Sequence, residues 1–466
     1  MSSTFRDLET GNDSGWTPPS QVATTRRRPA AGSRADAESG RYQIFLYVLL
    51  LYLFMFVNRL PELVPWLRIG LLLIPIMLVG LVLTQKVRVL LDARSGRWLI
   101  AFTIWVAICV PLSFWPGGSF IAFITTAQSL AMVAFILAFV RSLRDVMRVV
   151  ITIGLASGAI AILSFISSAN IANRQGVGGS ASLADPNYFA LYLLVGTALL
   201  CLTASQKTGW VRLCAIVLIP INLAGVGRSG SRAGLIALGA GLILFLIYGS
   251  AKQRTVVLSA SLAGILVAAV TLPREIADRF TDLFVSGGFH SLTTGKTTRQ
   301  GASTTELSAA ESSTEARMYL LRRSLIMTAK HPLFGVGPNQ FQGAEAADAS
   351  RIAVRGAWNG THNVYTQMSS ELGIPGMVLY MGALFGSYRG LSAIRKRGKT
   401  RHIRQMALFL QTAYFMLMVG AFFLGMGYGG LPFVMIGLSS AFKRAVARQN
   451  RESQFLRLQP DSIAVA

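Results

Sequence analysis

Three arginines and one histidine carry the chemistry this sequence offers. Arg228 and Arg232 stand in Gly227-Arg228-Ser229-Gly230-Ser231-Arg232-Ala233-Gly234, between two apolar runs. Arg232 sits where the second run begins, at a membrane edge. An ionisable residue there is costly and marks a functional site by default. The competing reading is an arginine reaching out to lipid headgroups. The surrounding glycines and serines would let backbone N–H groups help hold an anion. Arg317 lies near the start of an expected helix, where its guanidinium could enter a site or simply be solvated. Arg322, Arg323 and Lys330, on the same helix, read as a solvated or headgroup-facing surface. His362 lies in Gly360-Thr361-His362-Asn363-Val364-Tyr365, just ahead of another apolar run. With an ordinary pKa near 6.5, a histidine at such a place suits proton transfer, although a lone histidine is more often structural. No histidine or carboxylate spacing suggests a metal.

The elements that would position these groups are membrane helices. The chain has 466 residues, 52% hydrophobic and only 14% charged, with a net charge of +24. A soluble domain usually carries about 25% charged residues. The composition argues against a soluble enzyme, a disordered chain or a nucleic-acid binder. It fits an all-α integral membrane protein. About 12 transmembrane helices are expected, centred on 42–57, 66–84, 98–115, 119–140, 149–168, 187–205, 211–226, 233–249, 255–272, 372–388, 405–424 and 428–442. The runs are solidly apolar, without the alternation of a β-barrel. The first follows a polar, basic tail and has no cleavage site after it, so it reads as a retained helix rather than a signal peptide. Cys109, Cys201 and Cys214 lie in apolar runs and imply neither a disulfide framework nor a metal site.

The basic residues set the expected orientation. With both ends inside, 29 of the 44 Lys and Arg and 9 of the 20 acidic residues fall on the cytoplasmic side, so the +24 divides into +20 inside and +4 outside. That agrees with the positive-inside rule. The expected order is a disordered cytoplasmic tail (1–41), spans one to nine (42–272), a large extracytoplasmic loop (273–371), spans ten to twelve (372–442) and a basic cytoplasmic tail (443–466). Within the loop, Ser286 to Thr314 is rich in Ser, Thr and Gly and reads as flexible. Ser312 and Glu315 have capping-box spacing for a helix over roughly 314–330. His331-Pro332 stops that helix, and a turn over Gly335-Val336-Gly337-Pro338-Asn339 follows.

Four segments together resemble the O-antigen ligase and polysaccharide polymerase superfamily of bacterial membrane glycosyltransferases. They are Asp185-Pro186-Asn187-Tyr188-Phe189-Ala190; Arg228 to Gly234; Arg317 with His331-Pro332-Leu333-Phe334-Gly335-Val336-Gly337-Pro338; and Thr361-His362-Asn363-Val364-Tyr365 with Glu371-Leu372-Gly373-Ile374-Pro375-Gly376. Their order, spacing and common side carry the resemblance, over about residues 175–390. The stretch from Ser286 to Thr314 matches no family motif.

The resemblance implies transfer of a glycan from undecaprenyl pyrophosphate to a sugar hydroxyl at the outer face of the bacterial inner membrane. No cofactor or metal is expected. Implied partners are the lipid-linked glycan, a glycan or glycolipid acceptor and membrane lipids, with a flippase and a chain-length regulator as neighbours and no nucleic acid. The family's essential basic residues fall on Arg232 and Arg317 for the pyrophosphate, with Arg228 beside them, and on His362 as general base. Asp185, Asn187 and Tyr365 are candidate supporting or sugar-binding groups. Glu371 could orient His362 or cap the tenth span. Polymerase and ligase remain open, with a slight lean to polymerase. The alternative from another class is a secondary transporter or lipid-linked glycan flippase, for which twelve spans are suited. Such a transporter should show two related halves and a long connection after span six; here the long loop follows span nine.

Overall fold

The computed structural model describes residues 31–59, 69–166, 168–171, 174–177, 183–255, a few positions between 257 and 266, 304–351 and 359–458. The chain divides into one unit ending at Arg41 and a second, Tyr42–Ala466, which holds every residue discussed below. Its described helices are α1 (Ala31–Val57, which starts in the first unit), α2 (Ile69–Leu83), α3 (Arg94–Cys109), α4 (Pro116–Phe139), α5 (Leu143–Ile166), α6 (Pro186–Gln206), α7 (Gly209–Arg228), α8 (Arg232–Tyr248), α9 (Thr304–Lys330), α10 (Phe341–Arg351), α11 (Val364–Arg397), α12 (Arg401–Gly420) and α13 (Gly430–Leu458). Described helices fall on every expected apolar run except 255–272, most of which lies outside the described residues. Among the described residues, five stretches are long and apolar enough to cross a membrane: α4, α5, α6, α7 and Arg401–Phe423. The chain is a helical membrane protein.

Two expectations need correction. The helix carrying Arg317 begins at Thr304, not near 314, so the tail of the Ser/Thr-rich stretch is helical; the rest of that stretch lies outside the described residues. The run expected at 372–388 is part of a longer helix, Val364–Arg397, broken at Gly373. The all-α expectation holds, with one short hairpin added. Ser168–Ile171 (β1) and Arg174–Val177 (β2) pair antiparallel, with Ser168 opposite Val177 and Ile171 opposite Arg174.

The helix α6 forms the centre. Its sequence is apolar on every side, the pattern of a helix surrounded by others. It is buried over 78% of its most apolar stretch, as is the α12 region, against 28% for α7. Small and polar residues let neighbours approach. A side-chain atom on Gly196 of α6 would strike Ser157 of α5. Asn222 of α7 donates to the Ser157 hydroxyl at 2.9 Å. Where all surfaces are apolar, such close packing and polar bridges hold helices together.

The break in α11 shapes the end of the bundle that carries the candidate residues. Gly373 has φ +69° and ψ −178°, a conformation that only glycine adopts without strain. The carbonyls released by the break are taken by other elements. Val336 N donates to Ser370 O at 2.9 Å and Gly337 N to Glu371 O at 2.9 Å. The Trp105 indole of α3 donates to Leu372 O at 2.9 Å. Ile374 N in turn donates to Pro332 O at 2.8 Å. Backbone groups buried without partners would be costly. The turn after α9 and the break in α11 therefore complete each other.

Candidate active site

The site is assembled at the starts of three helices. Asp185 caps α6: its Oδ1 accepts from Asn187 N at 2.7 Å and from the Asn187 side-chain amide at 3.1 Å. Pro186 follows as the first helical residue, where a missing N–H does no harm. Ser231 caps α8, accepting from Gly234 N at 3.0 Å. The Ser231 hydroxyl donates to Asn187 Oδ1 at 2.8 Å. A continuous hydrogen-bonded path thus runs from Asp185 through Asn187 to Ser231, and Arg232 is the next residue. Asn363 caps α11 by accepting from Tyr365 N and Thr366 N, and His362 lies just ahead of it.

Arg317 comes from α9 and is half-buried. Its pKa is lowered by burial, with Arg232 adding to the shift and Asp185 opposing it. The pKa of His362 is lowered below the usual 6.5, first by burial, then by the Arg317 charge, with Asp185 again opposing. Arg232, Arg317, Asp185 and His362 therefore share one electrostatic environment. Two consequences follow. The arginines form a cationic centre, and the imidazole beside it is held neutral near pH 7, the form that accepts a proton. His362 also has φ +47°, unusual for a residue with a side chain. Backbone strain of this kind clusters at functional sites.

A cavity of about 110 Å³ adjoins the histidine, lined by His362, Glu371, Gln367, Asn339 and Tyr188, among others. Glu371 is buried, and its Oε2 accepts from Asn339 N at 2.9 Å. Burial pushes its pKa up to about 7, with Tyr428 first, then the Asn339 and Phe341 amides and Gln367, working against the shift.

Two expected residues have contacts of their own. The Arg228 guanidinium lies over the Phe165 ring, 5.2 Å from its centroid. Tyr365 donates its hydroxyl to Met418 O at 2.8 Å and packs its ring on Phe422 at 4.3 Å. It braces α11 against α12 and its neighbouring turn. The surface expected on α9 is a clamp instead. Arg323 is buried and bound to Asp348 of α10 at 2.6 Å, with Glu345 at 3.5 Å. Lys330 also binds Asp348, at 2.7 Å, and the Tyr319 hydroxyl donates to Glu345 at 2.6 Å. α10 thus grips the helix that carries Arg317. Arg322 is exposed, as expected.

Arg59 was not singled out from the sequence. It has φ +51°, donates to the Tyr192 hydroxyl at 3.0 Å, and its charge reaches Tyr188 on the cavity wall. The available signal was a basic residue just after the first apolar run, on the side where the positive-inside rule would not place it.

Residues 215–381 match the O-antigen ligase family model. The match begins within α7 and ends within α11, so it spans Arg228, Arg232, Arg317, His362 and Glu371. Asp185 and Asn187 lie outside the matched residues, yet the Ser231 bond to Asn187 ties them to that segment. No curated protein matches the chain. The family match and the apolar helices together support a polytopic bacterial membrane enzyme of O-antigen assembly, one that transfers glycosyl groups.

Proposed function

We propose that this protein transfers a glycan from undecaprenyl pyrophosphate to a sugar hydroxyl at the outer face of the cytoplasmic membrane, as a polymerase or ligase. The observation that carries the reading is the shared environment of Arg232, Arg317 and a half-buried His362. Cleaving a sugar–pyrophosphate bond builds negative charge on the leaving group. Guanidiniums match phosphate oxygens through charge-assisted, bidentate bonds. Donors already fixed in a site of restricted water stabilise that charge strongly. His362 takes the proton of the attacking hydroxyl, and direct attack inverts the anomeric centre. In this reading the arginines neutralise the pyrophosphate without a metal, and both chain ends are cytoplasmic.

Single replacement of Arg232, Arg317 or His362 by Ala should abolish polymeric surface glycan while the protein still inserts. Full-length glycan from all three variants would overturn the assignment. Deleting the gene separates the two jobs: losing a polymerase leaves single repeats, and losing a ligase leaves long chains on the carrier lipid. For sidedness, a tag at residue 295 should be labelled from outside the membrane and one at 397 should not. The reverse pattern would overturn the topology.

A further inference from the structure

His362 needs somewhere to send the proton it takes. Its cavity has room for a few water molecules. Glu371 also lines it, with a buried carboxyl. Exposed Asn339, Gln342 and Gly360 form the mouth. Glu371 is fixed from both sides: Asn339 N donates to its Oε2, and Gly337 N donates to its backbone carbonyl. The carboxyl accepts from the Asn339 amide of the neighbouring turn, rather than from an N–H of the helix that begins after the Gly373 break.

We propose that Glu371 is the proton acceptor that regenerates His362 during glycosyl transfer, through water in the shared cavity. The inference rests on the glycosyl-transfer reading. As the acceptor oxygen bonds to the anomeric carbon, the bond from that carbon to the pyrophosphate oxygen breaks and the hydroxyl proton moves to the imidazole. The imidazolium then passes its proton to the Glu371 carboxylate, which becomes a neutral acid. That acid releases the proton to bulk water at the cavity mouth.

In water a carboxylate is a weaker base than imidazole. Here burial raises Glu371 to about 7 and lowers His362 below its usual value, so the usual gap that would oppose this transfer is closed. The titratable groups around Glu371 are Tyr428 and, lining the same cavity, Tyr188 and His362. His362 in turn faces Arg317 and Asp185. The carboxylate is available above its pKa and blocked below it, so activity should fall as pH drops through about 7.

The test is E371Q in purified, membrane-reconstituted protein with a lipid-linked glycan donor. Glutamine keeps an oxygen for the Asn339 amide but cannot take the proton. We expect transfer to slow by about tenfold or more, and the acid limb of the rate profile to move from near 7 to below 6.5, where His362 alone sets it. A merely structural role would slow the enzyme without moving the limb. E371D, which keeps an ionisable carboxyl, should retain the limb. A wild-type rate in E371Q, or an unmoved limb, would overturn the proposal. No transfer by the wild-type protein would instead overturn the glycosyl-transfer reading and this inference with it, whereas a working wild type with an unaffected E371Q overturns this inference alone.

Discussion

The Ser231 hydroxyl donates to Asn187 Oδ1 at 2.8 Å while its oxygen accepts from Gly234 N at 3.0 Å. One side chain thus starts α8 and ties it to the start of α6. Both residues are buried, so water cannot replace the bonds cheaply. Ser231→Ala should cost about 1–3 kcal/mol, from the lost cap and the buried amide oxygen deprived of this donor. Because Arg232 follows directly, transfer should also fall. Thermal unfolding in detergent alongside a transfer assay checks this, and an unchanged melting temperature would refute the link.

The three arginines should respond differently to a change of shape at constant charge. Lysine keeps the positive charge but loses the bidentate fork. Arg232→Lys and Arg317→Lys should each reduce transfer by about tenfold or more, since a lost charge-assisted pair is worth roughly 1.5–3 kcal/mol. Arg228→Lys should have a small effect, because its guanidinium rests on Phe165. A transfer assay on the three variants separates these roles; an Arg228→Lys loss as large as the others would place Arg228 in the centre.

Gly373 is expected to tolerate no side chain. A Cβ there would meet the Leu333 carbonyl oxygen at 2.2 Å, and the backbone conformation alone would cost about 1–3 kcal/mol. Gly373→Ala should therefore disrupt the junction between α11 and the turn after α9. Gly386, also in α11, has nothing within 4 Å of a new Cβ, so Gly386→Ala should be neutral. Yield of folded protein by size-exclusion fluorescence distinguishes the two.

The clamp between α9 and α10 predicts a second contrast. Arg323→Met would remove the buried guanidinium that binds Asp348 at 2.6 Å and lies 3.5 Å from fully buried Glu345. Breaking a buried pair from one side costs about 3–5 kcal/mol. Lys330 is half exposed, so Lys330→Met should cost no more than about 1 kcal/mol. Melting temperatures give the comparison directly. Equal effects would mean that the Arg323 pair is not the main grip.

Much of the architecture was legible because the period and length of apolar runs are local properties. The apolar stretch after Asp185-Pro186 could only be a helix, and the cap, the proline and the run agree on where it starts. His331-Pro332 ended α9 as expected, because proline cannot continue a helix. The start of α9 was missed by about three turns: the capping-box spacing at Ser312 and Glu315 lies inside a longer helix. The break at Gly373 was also hidden, since a glycine and a nearby proline inside an apolar run are compatible with an unbroken or kinked helix.

By itself, then, the sequence determined that the chain is helical and membrane-bound, that its charge is lopsided, and that Arg232, Arg317 and His362 are the groups worth naming. The helical, membrane-bound character and the charge asymmetry need only residue type and spacing; the choice of Arg317 and His362 rests also on the resemblance of the segments around them. What tertiary structure alone decided is which groups meet. Asp185 and Asn187 reach Ser231 across more than forty positions of sequence, Arg323 turns inward to α10, Arg228 turns to Phe165, and Glu371 shares a cavity with His362. A guanidinium or a carboxyl looks the same in sequence whether water or protein surrounds it. Its partners and its depth of burial, which set its chemistry, exist only once the helices have packed.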